Sequence, residues 1–346
     1  MNYPIIDSAR NTPIPHDQLD LPPFQREEET HPEDYDADKG LLDAVNVALI
    51  MGQPLLITGD PGSGKTRLAF RIAWILGLEP VLTYATKSTS TAKDLFYSYD
   101  YLARFHAANA NQNISPERFI TYHALGEALI RANPKSLVEN VLPPGFEHDK
   151  PKRSVVLIDE IDKAPRDFPN DILNEIENLS FRIPELGRNP ESGSICEVTT
   201  NKKHAPLIFI TSNSEKLLPR PFLRRCVYYH IDFPDDKRMI RIVTNRVKRI
   251  PSYMGKTNNV DQTFISQAVT LFFNIREKLP KETQPSTAEL IMWVAAMREI
   301  SNKSNPIEQD PDAVKAAMAG LIKSKTDQQT ALDIYGNGSW KNKTNA

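Results

Sequence analysis

Gly59-Asp60-Pro61-Gly62-Ser63-Gly64-Lys65-Thr66 follows the apolar run Leu55-Leu56-Ile57-Thr58 and opens a strongly helical stretch. A glycine-rich turn between a strand and a helix is the setting in which backbone N–H groups curl around a phosphate. The glycines admit the turn, Lys65 offers a cation to the β- and γ-phosphates, and the Thr66 hydroxyl can ligate Mg²⁺. Downstream, Leu68, Ala69, Ile72, Ile75 and Leu76 share one helical face, and Gly77 stands where a helix-ending glycine belongs. The rival reading is a chance glycine-rich turn, and the strand-loop-helix order argues against it. Residues 59–66 therefore predict a nucleoside triphosphate site.

Around this loop lies a chain of 346 residues, 40% hydrophobic, long enough for about two domains. The net charge of −2 gives no general attraction to nucleic acid or anionic membrane. Cys196 and Cys226 are far apart and form no CxxC pair or zinc signature, which suits a reducing cytoplasm. No basic-then-apolar leader opens the chain, and no apolar run nears the ~18 residues that span a bilayer, so membrane insertion is not expected. Charge is uneven, however. Residues 1–36 hold nine acids against Arg10 and Arg26, a balance of −7, leaving +5 for the rest. With six prolines and little periodic hydrophobicity, this acidic extension predicts a flexible solvated arm, or a docking peptide for a partner.

Residues 40–51 read as a helix closed by Gly52. Strands are expected at 55–58, 81–84, 154–158, 207–210 and 227–231. The third and fourth are uninterrupted apolar runs of the kind buried on both faces of a parallel sheet. Alternation with helices predicts an α/β core, a doubly wound parallel five-stranded sheet over residues 37–233. After Phe233 the pattern becomes helical at 235–250, 263–278, 287–300 and 312–324, which predicts a small all-α lid subdomain over 234–335. Residues 336–346 show no burial pattern and predict a frayed tail.

Val155-Val156-Leu157-Ile158-Asp159-Glu160 is an apolar strand that ends in two acids. Such a strand delivers carboxylates to the C-terminal edge of the sheet, where ligands of open α/β sheets bind. Asp159 would hold Mg²⁺, directly or through water, and Glu160 would polarise the water attacking the γ-phosphate. Leu207 to Asn213 repeats the design with a neutral tip, so that Asn213 can bond both the lytic water and a γ-phosphate oxygen. A turn-forming Asn is the plainer alternative.

With Leu217-Leu218-Pro219-Arg220-Pro221-Phe222-Leu223-Arg224-Arg225-Cys226, the set GDPGSGKT, VVLIDEIDKA, FITSN and LPRPFLRRC resembles the AAA+ ATPases, most closely their MoxR-like branch. The resemblance covers roughly residues 37–335. It implies an AAA+ P-loop NTPase core and lid, ATP and Mg²⁺ as ligands, and a homo-oligomeric ring, usually a hexamer, with ATP between subunits. An arginine before the fifth strand would reach the neighbour's site; Arg225 matches best, with Arg224 as the alternative. The resemblance also implies a partner with a von Willebrand factor A-type domain and a protein client.

The chain departs from the family pattern where Ser286-Thr287-Ala288-Glu289 opens a lid helix. Many AAA+ proteins place a second sensor arginine at the position of Ala288, and here Arg276 and Arg298 are the nearby cations in sequence. Two stretches lengthen the core, at 86–150 and 181–206. In the family these are a helix-two insert and a presensor hairpin facing the ring's opening. Tyr97, Tyr99 and Tyr101 in the first either grip a partner or pack one face of a strand. The basic stretch Lys237, Arg238, Arg241, Arg246, Lys248 and Arg249 has an apolar face behind it, which reads as a solvated lid helix and makes nucleic acid an unfavoured partner. The competing functions are a nucleic-acid-linked or restriction-type NTPase, possible with GTP, and a nucleotide-gated scaffold with little turnover.

Overall fold

The computed structural model describes residues 31–110, 114–187, 195–213, 216–252 and 260–343. Among them are nine strands: β1 (Leu55–Gly59), β2 (Leu82–Ala85), β3 (Tyr97–Tyr99), β4 (Ile120–Tyr122), β5 (Val155–Asp159), β6 (Ser180–Arg182), β7 (Glu197–Thr199), β8 (Leu207–Ser212) and β9 (Val227–Ile231). The described residues fall in two compact units, and all nine strands belong to the first. One holds residues 37–60 and 64–232; the other holds the described residues of 31–36, 61–63 and 233–343.

The first unit is built on a five-stranded sheet in the order β2-β5-β8-β1-β9, all strands parallel. Every residue of β1 is buried, as are the first four of β5 and the last five of β8. Burial on both sides of the pleat means that helices cover both faces of the central strands. The edge strands β2 and β9 instead alternate in exposure. Helix Lys39–Met51 is capped by the Asp38 carboxylate, which accepts from Leu41 N, and ends in left-handed Gly52. Helix Lys65–Leu76 ends the same way at Gly77. These two glycines are where the sequence placed them, because a positive φ at a helix end costs a side-chain-bearing residue more.

The first insert is smaller than 86–150. Helix Ala124–Arg131 already packs on β2 and β5 as part of the core. Gly126 allows this approach, since a Cβ there would lie 2.0 Å from Phe96 O. What precedes it is the antiparallel pair β3 and β4 and helix Tyr101–Asn109. The tyrosine alternation therefore stops at Tyr99, and Asp100 caps a new helix by accepting from Ala103 N. Tyr97 is buried, Tyr99 half-buried and Tyr101 exposed. The second insert contains the hairpin β6 and β7, whose tip lies outside the described residues.

The second unit has its own apolar core, drawn from helices Asp236–Arg249, Gln262–Lys278, Thr287–Ile300, Pro311–Leu321 and Lys325–Gly336. The last of these was not expected as a separate helix. The predicted frayed tail is also corrected: Trp340 is only 1% exposed, sits in this core, and donates from Nε1 to Tyr335 O at 3.3 Å. Burial of a large indole in this core holds the end of the chain against the helical unit. Among the described residues, no helix is long and apolar enough to cross a membrane.

Candidate functional site

The loop after β1 uses its glycines as conformational hinges: Gly59, Gly62 and Gly64 have φ of 150°, 74° and 90°. Lys65, the first residue of the helix, is 6% exposed. Its Nζ donates to Gly59 O at 2.8 Å and Asp60 O at 2.9 Å. Burial lowers its pKa, partly opposed by Asp159, Asp162, Asp60 and Glu160 around it. An ammonium held in a dry loop, at the N-terminus of a helix, is an anion site by construction. The Ser63 hydroxyl is buried and takes no hydrogen bond among the described residues, which leaves it available to a bound oxyanion.

Beside the loop, β5 and β8 are paired in register up to Ile158 and Ile210, so Asp159 and Thr211 emerge side by side. Thr211 is fully buried. Its hydroxyl donates to Asp159 Oδ1 at 2.5 Å and accepts from Glu160 N at 2.8 Å. Thr66 Oγ1 donates to the same Asp159 oxygen at 2.9 Å. One threonine thus fixes both acids of the strand end. Glu160 has φ 56°, an unusual left-handed backbone for a glutamate, that turns the chain just past the strand. Asn213 Nδ2 donates to Glu160 Oε1 at 3.1 Å, and Lys163 ion-pairs with Glu160 Oε2. Asn213 N donates to Asp162 Oδ1 at 3.2 Å, which anchors the asparagine itself. A hydroxyl and a carboxylate on one side and a carboxylate with an amide on the other form a set of hard oxygen donors for a divalent cation next to a water-orienting pair. Thr66 and Asp159 fit Mg²⁺ in donor chemistry, and Lys65 fits the phosphates.

Thr211 and Lys163 were not singled out in the sequence. The signal for Thr211 was a polar residue near the tip of an apolar strand, two places before Asn213. Thr86, just past β2, belongs to the same edge: its N donates to Asp159 O at 3.1 Å, and its hydroxyl is buried without a hydrogen bond among the described residues.

Arg224 and Arg225 lie elsewhere. They precede β9, whose first residue pairs with Leu55 and whose last pairs with Gly59. Five residues of strand, about 16 Å, separate this end of the sheet from the phosphate loop. Arg225 Nε ion-pairs with Glu177 Oε2 at 3.1 Å. Neither arginine is brought to the loop of its own chain. The two lid cations are committed too. Arg298 is buried and donates to the carbonyl groups of Val247 and Ile250 at 2.8 and 3.0 Å, closing the end of the basic helix. Arg276 stacks 3.7 Å from the Phe233 ring centroid and hydrogen-bonds Pro285 O. Both act as packing groups of the helical unit.

Residues 54–215 match the family model of the AAA domain, dynein-related subfamily. The α/β unit has the AAA+ fold. Its sheet order and phosphate loop, followed by a helical region, are those of the AAA+ P-loop core. Solved structures of Thermotoga maritima RuvB variants are similar at 15% and 16% identity, with TM-scores of 0.43 and 0.44. They cover 86% and 81% of this chain and 68% and 67% of their own. A likeness of this size does not bear on what the chain binds. No curated protein matches significantly.

Proposed function

We propose that this chain is an ATP hydrolase of the MoxR-like branch of AAA+ proteins, acting as a homo-oligomeric ring, a hexamer by family resemblance, that remodels or activates a partner protein complex. The observation that carries this reading is the hydrogen-bonded set Thr66, Asp159, Thr211, Glu160 and Asn213 on one sheet edge. Asp60, Gly62, Ser63 and Gly64 offer backbone N–H groups to the phosphates, while Pro61, which has no N–H, fixes the turn between them. Lys65 exchanges its loop carbonyls for phosphate oxygens, which relieves the cost of a buried ammonium held by neutral partners. Thr66 and Asp159 would hold Mg²⁺, which would supply positive charge beside the phosphate oxygens. Glu160 accepts a hydrogen bond from the attacking water and Asn213 steadies the carboxylate that does so.

Arg225 then serves a neighbouring subunit, with Arg224 as the alternative. Its position at the far end of β9 supports action in trans, since it is remote from its own loop. Such an arginine accelerates hydrolysis by roughly 10³ to 10⁵. The inserts carry the output to a protein client, and a von Willebrand factor A-type partner is the counterpart the MoxR resemblance suggests. Replacing Glu160 with Gln is expected to leave ATP binding intact and lower turnover by at least about 10². Steady-state phosphate release and nucleotide binding on the same preparation decide it; unchanged turnover overturns the mechanism.

A further inference from the structure

The cationic face of helix Asp236–Arg249 is not simply solvated. Met239, Val243 and Val247 are buried on one side of it. On another, Arg238, Arg241 and Arg249 follow one another at spacings of three and eight residues, which places them in one row along the helix. The described end of the acidic N-terminal segment lies on that row. Arg249 Nη2 pairs with Asp34 Oδ1 at 2.8 Å, Arg241 Nη2 with Asp36 Oδ2 at 3.4 Å, and Arg238 Nε with the same oxygen at 3.8 Å. Arg238 Nη2 also donates to the Asp36 backbone carbonyl at 2.6 Å. Exposed ion pairs of this kind contribute about 0–1 kcal/mol each, but Asp34 is different: its side chain is 8% exposed. A carboxylate is not withdrawn from water without a specific counter-charge.

The direction of the chain adds to this. Asp34 meets the C-terminal end of the helix and Asp36 its N-terminal half, so residues 34–36 run antiparallel to it. In the sequence, residues 1–36 carry −7 against +5 for the remainder.

We propose that the acidic segment of residues 31–36 is an intramolecular clasp whose binding surface is the arginine row of helix Asp236–Arg249, and that it withholds this row from other polyanions. The occupant is this segment of the same chain, matched by charge, direction and the buried Asp34. The inference does not rest on ATP hydrolysis.

The test uses the full chain with Asp34→Asn/Asp36→Asn and a fluorescein-labelled 30-nucleotide poly(dT) as a polyanion probe. Anisotropy titrations are expected to show binding at least about tenfold tighter than the parent at ~50 mM salt. The slope of log K against log salt is expected to steepen by about 2, three freed cations at roughly 0.7 each. Adding Arg238→Ala and Arg241→Ala to that variant is expected to return binding to the parental level. Asp36→Asn alone, at a side chain one-third exposed, is expected to give about a threefold gain and decides the matter if the double variant does not fold. Equal affinity and slope for parent and variants, or tight binding by the parent itself, overturns the clasp.

Discussion

Thr211 shows how much a single hydroxyl can determine. It has one proton and spends it on Asp159, while its lone pair takes the Glu160 N–H. Removing it frees two acids at once and leaves a buried N–H without a partner. Thr211→Val, which keeps the shape, is expected to lower kcat by about 10² with KM changed less than about threefold, because positioning and not binding is lost. Thr211→Ser is expected to stay within about threefold of the parent. A structural defect alone would move both substitutions together, and equal activity of the Val and Ser proteins would remove the positioning role. The placing of the loop, Asp159, Glu160 and Asn213 at strand ends was legible because each stands at a fixed offset from an apolar run. Thr211 was not, since its partners are 52 and 51 residues away in sequence. Arg276 and Arg298 illustrate the converse: both stand near Ala288 in sequence, and the fold gives their guanidinium groups to an aromatic ring and to helix-end carbonyl groups.

Between elements, Glu185 joins the two inserts. Tyr97 OH donates to its Oε2 at 2.7 Å, and Lys93 and Tyr101 hold Oε1. Phe181 of the hairpin stacks on Phe96 at 5.1 Å beside this knot. Burial on its own would raise the Glu185 pKa, but the hydrogen bonds from Lys93, Tyr101 and Tyr97 outweigh it and hold the group at about 2, against 4.5 when free. A depressed carboxylate pKa contributes stability that is complete above about 4.5 and fades as pH falls toward about 2. Protection of the amides of 93–101 and 180–186, their hydrogen exchange measured relative to the intrinsic rate at each pH, is therefore expected to fall across that window in the parent. In Glu185→Gln the contacts are already weakened at pH 7, and the acid-dependent step is expected to shrink; an identical step in both proteins would exclude Glu185 as its source. A hairpin was expected over 181–206 from the family resemblance, and the antiparallel pair β6 and β7 lies there. For Tyr97, Tyr99 and Tyr101 the sequence left two readings open, and the strand reading holds only as far as Tyr99, because Asp100 caps a new helix inside the run.

Across the whole molecule, the question is whether one site is completed by two chains. Arg225→Ala protein lacks the proposed trans-acting group but keeps Glu160, and Glu160→Gln protein has the reverse. Each alone is expected to hydrolyse ATP at no more than about 1% of the parent rate. Mixed in equal amounts under conditions that allow subunit exchange, they are expected to recover a quarter of the parental rate at most, because sites with both intact groups then form at random. Native mass with ATP, measured on the same mixtures, separates failure to assemble from failure to complement. Mixtures as inactive as their parts, in assembled rings, would remove the trans role of Arg225.

The sequence by itself determined the phosphate loop, the strand ends that carry Asp159, Glu160 and Asn213, and the parallel α/β core, because these depend on local periodicity and on glycine's access to positive φ. Tertiary structure decided which polar groups meet. It brought Thr211 to two acids, committed Arg276 and Arg298 to packing, and buried Trp340 in a core where a frayed end was expected. It also laid Asp34 and Asp36 along the arginine row of a helix about two hundred residues away. These are long-range pairings of single side chains, and a hydrogen bond or ion pair across such separations leaves no periodic trace in the chain that forms it.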